Sequence, residues 1–544
     1  MSYIDLENSF FGRTKTLDLL KRRVIDLKEG YRQNIAILGN QFVGKTSLLH
    51  HFIANLDERD VTVVYLDFEN KDFGYFMSKL IGSLLYNYSK KNNLSLHDDI
   101  NLLLETTKDH IPNTVQVIRK IQKDFGKGKV SECYLGLLTL PEVFTNETEQ
   151  FCVLVLDEFQ NIDNFMIPDA FINLGKKIMT QKKCLYIVSS SFPSLAQKIL
   201  SEKLSLLFGN FEIVDIDAFG LATSQKFIDQ NLKGIKIGVQ LRGFLTDFAG
   251  GHPLYLNLLC RELINLCSIH NQGEVYKPIL TQAVENTIFD RWGVISRHFE
   301  IIIKDICGGR GNSIISSILI SLSNGKYKID EIINDVIIKK AQMTQRLNRL
   351  IELGVVVKNG DFYCFKDKLL KYWIKFVYQK RLRDVELAPD KQRKQYKEEF
   401  HKLIDDFNVT SRKDLSSRIV ELFNCFDNEA FSLNGRKYRL PLFRTVEPFR
   451  FKNESGIYFD MIKASSENDQ WFVVVKKDNV GETDINTVLS EVKKMTKRID
   501  RCLIISLTGL DENARIRALE ERFWIWNEGE INTLLTLFDK PYIL

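Results

Sequence analysis

The stretch Gly39-Asn40-Gln41-Phe42-Val43-Gly44-Lys45-Thr46-Ser47 decides the fold of the chain's first half. It matches G-x-x-x-x-G-K-[ST] and lies between a strand-like run, Ile35–Leu38, and a helical pattern, Thr46–Leu56, as that motif requires. Its glycines let backbone N–H groups close around phosphates, and the helix N-terminus adds positive potential. We expect Lys45 to reach the β- and γ-phosphates of ATP and the Thr46 hydroxyl to bind Mg²⁺. The flanking elements disfavour the alternative, a chance glycine-rich turn.

Acidic and hydroxyl side chains follow two further strand-like runs. Cys152–Leu156 ends in Asp157 and Glu158. Asp157 is predicted to join the Mg²⁺ shell, and Glu158 to orient or deprotonate the attacking water. Two acids merely solvated at a strand end are the alternative, but after a P-loop the pair favours ATP hydrolysis. Leu185–Ser189 also ends in hydroxyls, of which Ser190 is the candidate for the γ-phosphate or the lytic water; an ordinary strand-end turn is the competing interpretation.

Short apolar strands alternate with helical patterns through the first half, which favours a mostly parallel sheet covered by helices. The predicted strands there include Val61–Asp67 and Glu212–Ile216. Because 544 residues are too many for one hydrophobic core, several domains are expected. We predict an α/β protein with these parts in order: a P-loop NTPase core of the ASCE type at 1–220, a helical lid at 221–306, a winged helix at 307–376, a helical connector at 377–414 and a small α/β domain at 415–544.

Composition and charge restrict the environment of the protein. The net charge of +5 is too small to imply a polyanionic partner by itself. The nine cysteines include no C-x-x-C pair, which favours buried thiols in a reducing compartment over disulfides or a metal site. The start of the chain lacks a secretory pattern, and no apolar run reaches the roughly 20 residues of a membrane span. We therefore expect a soluble, cytoplasmic protein without a membrane partner.

A three-helix pattern with a hairpin occupies the middle of the chain. The helices are expected at Ser313–Leu322, Asp330–Val336 and Gln342–Leu353, and Asn359-Gly360 is a strong two-residue turn. This order is typical of a winged helix. On the third helix, polar residues lie away from the apolar face and are candidate DNA contacts: Gln345, Arg346, Asn348 and Arg349. A solvated helix face, or a winged helix used for intramolecular regulation, is the alternative.

Taken in order from Phe10 to Phe376, these motifs resemble those of the archaeal-type ATPases of the STAND/AAA+ superfamily. Phe10-Phe11-Gly12-Arg13 resembles the family's box that helps to enclose the adenine. Gly250–Tyr255 resembles its Gly-x-Pro stretch, which starts a helical lid and brings Pro253 to the base. The resemblance therefore implies that Phe11, Gly12, Arg13 and Pro253 join the P-loop in binding ATP. Gly209-Asn210 departs from the family's Gly-Arg pair, and the missing arginine implies slow, switch-like hydrolysis.

Members of this family often end in a domain similar to restriction-endonuclease-like PD-(D/E)xK nucleases. That chemistry needs two acids on neighbouring strands and a nearby lysine. The matching positions are Glu421 in a helix, Asp460 after the strand-like 456–459, and Lys476. Val474 replaces the acid of the E-x-K motif, so the resemblance implies a degenerate site and an inactive nuclease-like domain of restriction-endonuclease-like type.

The leading functional hypothesis is an ATPase that needs Mg²⁺, converts ATP to ADP and phosphate slowly, and acts as a switch that binds DNA through the winged helix. Nucleotide-dependent self-association is a further expectation. One alternative is a signalling or regulatory NTPase scaffold whose C-terminal half binds protein, which the weak net basicity favours. The other is an active Mg²⁺-dependent nuclease.

Overall fold

The computed structural model describes residues 10–69, 71–204, 211–308, 312–383, 389–452, 458–494 and 499–543. The backbone forms two compact units, Met1–Phe219 with His252–Leu254, and Gly220–Gly251 with Tyr255–Leu544. The first unit therefore ends close to the predicted end of the NTPase core. The domains predicted after the NTPase core, from the lid to the C-terminal domain, lie in the second unit, except for His252–Leu254. Among the described helices, none combines the length and the apolar character that crossing a membrane requires.

The first unit is built on a parallel five-stranded sheet with the order β2-β3-β4-β1-β5. The strands are β1 (Asn34–Leu38), β2 (Val61–Asp67), β3 (Phe151–Asp157), β4 (Cys184–Ser190) and β5 (Phe211–Asp215). Runs of Val, Ile and Leu favour strands that are buried on both faces, as parallel sheets require. Val61–Asp67 agrees with its predicted bounds, whereas the last strand begins one residue earlier than predicted. Because all strands run the same way, the loops after β1, β3 and β4 meet at one edge.

Helices cover both faces of this sheet. They are α1 (Thr14–Lys28), α2 (Lys45–Ala54), α3 (Phe73–Lys91), α4 (Ile100–Thr107), α5 (Pro112–Gly126), α6 (Val130–Thr148), α7 (Ala170–Thr180) and α8 (Pro193–Lys198), with a 3₁₀ helix at Phe159–Phe165 and a π-helix at Ile199–Lys203. Alternate residues of β1 enter different cores, since Ile35 packs with α1 and α2 while Ala36 packs with the helices after β2. Helices α3 to α6 connect β2 to β3.

The second unit begins with helices α9 (Leu221–Asn231), α10 (Val239–Phe248), α11 (Pro253–Ile269), α12 (Lys277–Val284) and α13 (Val294–Cys307), with a π-helix at Glu285–Phe289. Two strands of two residues each, β6 (Lys236–Ile237) and β7 (Glu274–Val275), pair in parallel between these helices. The sequence indicated only helices here, because a two-residue strand is too short to produce a periodic pattern.

Three helices and a hairpin follow. The helices are α14 (Asn312–Ser323), α15 (Ile329–Val336) and α16 (Lys340–Glu352), and the hairpin strands are β8 (Val356–Asn359) and β9 (Phe362–Phe365). Lys328, between the first two helices, forms an antiparallel bridge with Phe362. The hairpin therefore gains a third, one-residue strand. Each predicted helix agrees with an observed one to within two residues at its ends.

The chain continues through α17 (Lys368–Trp373), a π-helix at Ile374–Tyr378, α18 (Gln379–Arg383), α19 (Pro389–Ser411) and α20 (Leu415–Phe423). The hairpin β10 (Ala430–Leu433) and β11 (Arg436–Arg439) precedes a sheet of β12 (Thr445–Lys452), β13 (Tyr458–Ser465), β14 (Gln470–Lys476), β15 (Arg501–Ser506) and β16 (Trp524–Trp526), with helices α21 (Glu482–Lys494), α22 (Glu512–Glu520) and α23 (Glu528–Leu537). The order is β12-β13-β14-β15-β16; the first three strands are antiparallel and the last three parallel.

Candidate functional site

The loop Gly39–Ser47 joins β1 to α2 at the carboxyl edge of the first sheet. Gly44 has φ +96°, a left-handed backbone that glycine adopts without strain. A Cβ at Gly39 would lie 2.3 Å from the carbonyl oxygen of Ile216, so only glycine fits against that segment. The loop therefore turns tightly into the N-terminus of α2, where free N–H groups and the helix dipole attract anions.

Two oxygen ligands suited to Mg²⁺ come together beside this loop. The hydroxyl Oγ1 of Thr46, in the first turn of α2, donates a hydrogen bond of 2.7 Å to Asp157 Oδ2 at the end of β3. Asp157 is 2% exposed and also accepts hydrogen bonds from Ser189 Oγ and, at 2.9 Å, from Tyr65 Oη. Mg²⁺ prefers carboxylate and hydroxyl oxygens, so the donor set fits this ion. Tyr65 carried no motif signal, because only the register of β2 beside β3 brings it to the acid.

The ammonium group of Lys45 lies between the loop and the second acid. Its Nζ donates hydrogen bonds of 2.8 Å to Asn40 O and to Ser191 Oγ, and lies 3.9 Å from Glu158 Oε1. The side chains of Lys45 and Glu158 are only 3% and 14% exposed. Little water screens the two charges, so their interaction is stronger than that of a surface pair.

Glu158 is fixed in position by its neighbours. The backbone N–H of Ser191 donates to Glu158 Oε2 at 2.9 Å, the Ser191 hydroxyl donates to Oε1, and Gln160 Nε2 donates to Oε2 at 2.8 Å. Its backbone is left-handed, with φ +54°. This turn after β3 points the carboxylate toward Lys45, whereas Asp157, one residue earlier, bonds to Thr46.

The three serines at the end of β4 have different surroundings. Ser189 contacts Asp157, and Ser190 is 0% exposed, with its Oγ accepting from the N–H of Phe192 at 3.1 Å. Ser191 is the hydroxyl that meets both Lys45 and Glu158. The sequence-based choice of Ser190 therefore falls on the buried last residue of β4, and Ser191 replaces it as the candidate. Alternation along a strand turns neighbouring side chains to opposite faces, and the strand's last residue cannot be read from three consecutive serines.

Acidic groups concentrate at this edge of the sheet. Partial burial, together with the negative charges of Asp67, Glu158 and Asp157, raises the pKa of Glu69 above its ordinary value. A raised carboxyl pKa means that the surroundings disfavour another negative charge. A bound cation would relieve this repulsion, which is a second reason why the site fits Mg²⁺.

The box before α1 packs near the P-loop through the segment after β5. Phe11 meets the ring of Phe219 edge-on, with centroids 5.9 Å apart, and the Arg13 guanidinium lies 4.9 Å above that ring. Arg13 also donates to the carbonyl oxygen of Asp217, and burial lowers its pKa. Gly12 provides a left-handed turn with φ +71°. The box and the P-loop glycine Gly39 therefore approach opposite ends of one segment, residues 216–219.

The Gly-x-Pro stretch also reaches the P-loop within the first unit. His252 Nε2 lies 3.0 Å from the carbonyl oxygen of Gln41, and Pro253 begins α11 immediately afterwards. The proline suits the first turn of a helix, where its missing N–H costs no hydrogen bond. The departure at Asn210 lies outside the described residues.

The order of the strands decides the fold. β4 lies between β1, which leads into the P-loop, and β3, which carries Asp157 and Glu158. An additional strand at this position is the arrangement expected of the ASCE type. The first unit has the fold of a P-loop NTPase.

Comparisons with known proteins give only distant likenesses. No family model and no curated protein matches the chain. Among solved structures it is similar to the Walker-type ATPase PABY2304 of Pyrococcus abyssi, with 15% identity, a TM-score of 0.48, and 68% of this chain and 96% of that chain covered. It is also similar to the Aeropyrum pernix ORC1 protein in complex with DNA, with 11% identity, a TM-score of 0.38, and 68% of this chain and 93% of that chain covered. A third similar structure is the Thermotoga maritima RuvB Holliday junction branch migration motor, with 12% identity, a TM-score of 0.34, and 68% of this chain and 98% of that chain covered. The P-loop fold is assigned from the sheet order and the loop rather than from these likenesses.

Helix α16 presents one apolar and one polar face. Met343, Leu347 and Leu350 are fully buried, as the sequence pattern indicated. The candidate DNA contacts Gln345, Asn348 and Arg349 are exposed, and Arg346 is half-buried. The four side chains therefore form the polar surface of this helix, which we call the α16 surface.

The hairpin beside α16 is covered at its tip by β10 of the same unit. The side-chain amide of Asn359 donates to Ser432 O at 3.1 Å, and the N–H of Ser432 donates to Asn359 Oδ1 at 2.6 Å. The N–H of Asp361 donates to Ala430 O at 2.9 Å. A Cβ at Gly360, which has φ +61°, would lie 1.9 Å from that same Ala430 oxygen. The tip of the hairpin is therefore occupied within the chain, while the α16 surface is exposed.

The predicted nuclease residues do not come together. Asp460 lies within β13, not after a strand, and pairs with Val475, so their side chains share one face of the sheet. Lys476 is one residue further along and faces the other side, where its Nζ bonds Asp484 Oδ2 at 2.5 Å. Asp460 pairs with Arg450, and Glu421 with Lys413. Among the described residues, no cluster of three or more His, Cys, Asp or Glu side chains could bind a metal ion.

Proposed function

We propose that the protein is a Mg²⁺-dependent ATPase that works as a nucleotide-controlled switch and contacts duplex DNA through the α16 surface. The observation that carries the ATPase part is the hydrogen bond of 2.7 Å between Thr46 and Asp157, beside a tight loop whose lysine is buried. This combination supplies two oxygen ligands, a cation and free backbone N–H groups at one place. A triphosphate with its magnesium ion needs these groups.

The chain's own residues divide the work of hydrolysis. Lys45 and the N-terminus of α2 would bind the phosphates, while Thr46 and Asp157 would hold the Mg²⁺, which supplies charge neutralisation on the phosphate oxygens. Glu158 would accept the proton of the attacking water. Ser191 would hold the Glu158 carboxylate in position through the two hydrogen bonds described above. Phe11, Gly12, Arg13 and Pro253 would enclose the base, as the family resemblance implies.

The DNA part of the proposal rests on the three-helix module. Three helices, a hairpin and the short bridge at Lys328 have the order of a winged helix. In that motif the third helix enters the major groove. Arg346 and Arg349 would contact phosphates or guanine edges, and Gln345 and Asn348 would contact bases. With the hairpin tip covered by β10, the helix has to provide the contacts.

Ion pairs inside the second unit support the switch. Nζ of Lys368, the first residue of α17, lies 2.8 Å from Asp247 Oδ1 on α10, and both side chains are at most 14% exposed. Although burial opposes it, the negative charge of Asp247 raises the pKa of Lys368. Tyr255 on α11 donates to Asp367. A displacement of the predicted lid would therefore be passed to the three-helix module as a rigid-body movement rather than absorbed by a loose linker.

The test measures duplex DNA binding by fluorescence anisotropy with Mg²⁺ and ATP, ADP or no nucleotide, at several salt concentrations. We expect affinity to depend on the nucleotide, and the Arg346→Ala/Arg349→Ala variant to lower the salt slope by about 2, because each lost phosphate contact removes about 0.9. Lys326→Ala/Arg515→Ala removes the same charge from exposed positions elsewhere in the second unit and is the matched control. Equal slopes for both variants would remove the α16 surface from the proposal. An ATP-dependent mass increase by light scattering without DNA binding would favour the regulatory scaffold instead.

A further inference from the structure

A cleft with a volume of about 350 Å³ opens at one end of the C-terminal sheet. Trp471, Arg501 and Trp524 stand at the amino ends of β14, β15 and β16, and parallel strands bring these ends together. Tyr438 and Arg439 at the end of β11 form the opposite wall. The cleft is therefore separate from the carboxyl end of β14, where the nuclease residues were predicted.

Aromatic rings form the floor of this cleft. The ring of Trp524 meets Tyr438 and Trp471 edge-on, with centroids 4.8 and 5.1 Å apart. Arg501 lies 4.5 Å above the Trp524 ring, which fixes the position of its guanidinium. Trp524 and Tyr438 are both partly exposed, so their side chains reach the surface of the cleft. Rings held rigidly at a cleft surface favour a flat partner that can stack.

Charged groups of both signs line the cleft. The cations are Lys437, Arg439 and Arg501, and the carboxylates are Asp469 and Asp500, which leaves one net positive charge. Within the described part of the chain, no carboxylate comes within ion-pair distance of any of the three cations. Arg439 uses only its Nε, which donates to Asn428 O at 3.1 Å. The cations are therefore available to an anion.

The two carboxylates make a simple polyanion site a poor match. Asp500 Oδ2 accepts from the N–H of Gln470 at 2.9 Å, which anchors this carboxylate at the start of β14. Asp469 is exposed at the turn before the same strand. Fixed carboxylates beside aromatic rings accept hydrogen bonds from flat groups that carry N–H donors, such as the amino edge of cytosine.

We propose that this cleft binds one nucleotide, with the base at the rings, its amino edge on Asp469 and Asp500, and the phosphate on Lys437 and Arg439. The cleft is lined by rings, carboxylates and cations, which are the three kinds of group that a base, its amino edge and a phosphate need. The size agrees, since small-molecule sites begin at about 300 Å³. A base with an amino group, such as cytosine, is favoured over thymine, which offers a carbonyl oxygen to the carboxylates. The nucleotide is either free or an unstacked unit of a single strand. This site depends on neither the P-loop nor the α16 surface.

The experiment uses the full chain with Mg²⁺ and a non-hydrolysable ATP analogue, so that the P-loop is filled. Labelled deoxycytidylate and thymidylate homopolymers of about 12 nucleotides are titrated by anisotropy, and dCMP by tryptophan fluorescence. We expect the cytosine strand to bind roughly tenfold more tightly than the thymine strand. Lys437→Ala/Arg439→Ala should weaken it by roughly tenfold. Arg436→Ala, an exposed cation on the same hairpin outside the cleft, is the matched control and should change little.

Asp469→Asn/Asp500→Asn keeps the size of both exposed side chains and provides a second variant that does not threaten folding. It should remove the preference for cytosine while retaining strand binding. Quenching by dCMP alone would identify a free nucleotide as the ligand, and binding of the homopolymers alone would identify a single strand. The proposal fails if neither probe binds, if Arg436→Ala weakens binding as much as the double variant, or if the asparagine variant keeps the preference for cytosine.

Discussion

Replacing Lys45 by methionine tests the nucleotide site most directly, because methionine keeps most of the unbranched apolar stem and removes the ammonium group with its charge and N–H donors. Lys45 is 3% exposed, and its ammonium group makes two hydrogen bonds of 2.8 Å. Little water therefore screens its charge. A hydrogen bond to a charged group contributes about 1.5–3 kcal/mol. We therefore expect binding of Mg²⁺ and a non-hydrolysable ATP analogue to weaken by about 3 kcal/mol, or roughly 100-fold.

The same change predicts how nucleotide stabilises the protein. At a ligand concentration of 100 times its dissociation constant, the wild type gains about 2.7 kcal/mol, and Lys45→Met at that concentration keeps about 0.4 kcal/mol. The unliganded variant should also lose stability, because Glu158 keeps its largely buried charge without the Lys45 partner at 3.9 Å, so the gain from nucleotide is measured against each protein's own unliganded state. Isothermal titration gives the dissociation constants and a thermal unfolding scan gives the stabilisation; Lys176→Met, at an exposed position, is the control. Wild-type affinity in Lys45→Met would refute this account of the loop.

Three other predictions concern the remaining contacts. Ser191→Ala should lower the rate of phosphate release by roughly tenfold, because Glu158 loses its positioning hydroxyl, whereas Ser190→Ala should change it little; equal effects would contradict the assignment of Ser191. Gly360→Ala should destabilise the second unit by about 3 kcal/mol in urea unfolding, from its positive φ and the clash with Ala430 O, while Gly354→Ala, with φ +71° and no atom within 4 Å, should cost only about 1 kcal/mol. Burial lowers the pKa of His298, and the opposing charge of Asp367 only partly offsets this. The unfolded chain therefore binds this proton more readily than the folded protein. The stability that the neutral His298 contributes at pH 7 is lost as the pH falls below about 6.5, the ordinary pKa of histidine. His298→Gln should therefore lose less stability than the wild type between pH 7 and 5.5 in matched urea unfolding curves.

Local patterns sufficed for the P-loop, the first sheet and the three-helix module. The P-loop, the strands of the first sheet and the three helices of the middle module each lie within about two residues of their predicted bounds. The apolar period of α16 identified its buried face, because a helix has one side toward the core whatever that core contains. Two-residue strands such as β6 produced no pattern and were missed.

The nuclease positions show where pattern reading fails. Asp460 and Lys476 match a motif by spacing, with Val474 in place of its second acid, but the register of β13 against β14 pairs Asp460 with Val475 and turns Lys476 to the opposite face. A shift of one residue in register reverses every side chain of a strand, and no single sequence records that register. The choice among the three serines at the end of β4 depended likewise on which way each side chain faces, and the contacts of Ser191 with Lys45 and Glu158 favour that residue.

By itself, the sequence determined that the first unit has a phosphate-binding loop with Lys45 and Thr46, because the loop's chemistry is contained in consecutive residues. Only the tertiary structure decided that Tyr65 and Ser191 join the acids, that the tip of the hairpin is covered by β10, and that Trp471, Arg501 and Trp524 meet in one cleft. These residues are far apart along the chain. Their proximity arises from strand order and register, which depend on the packing of the whole sheet rather than on any local stretch.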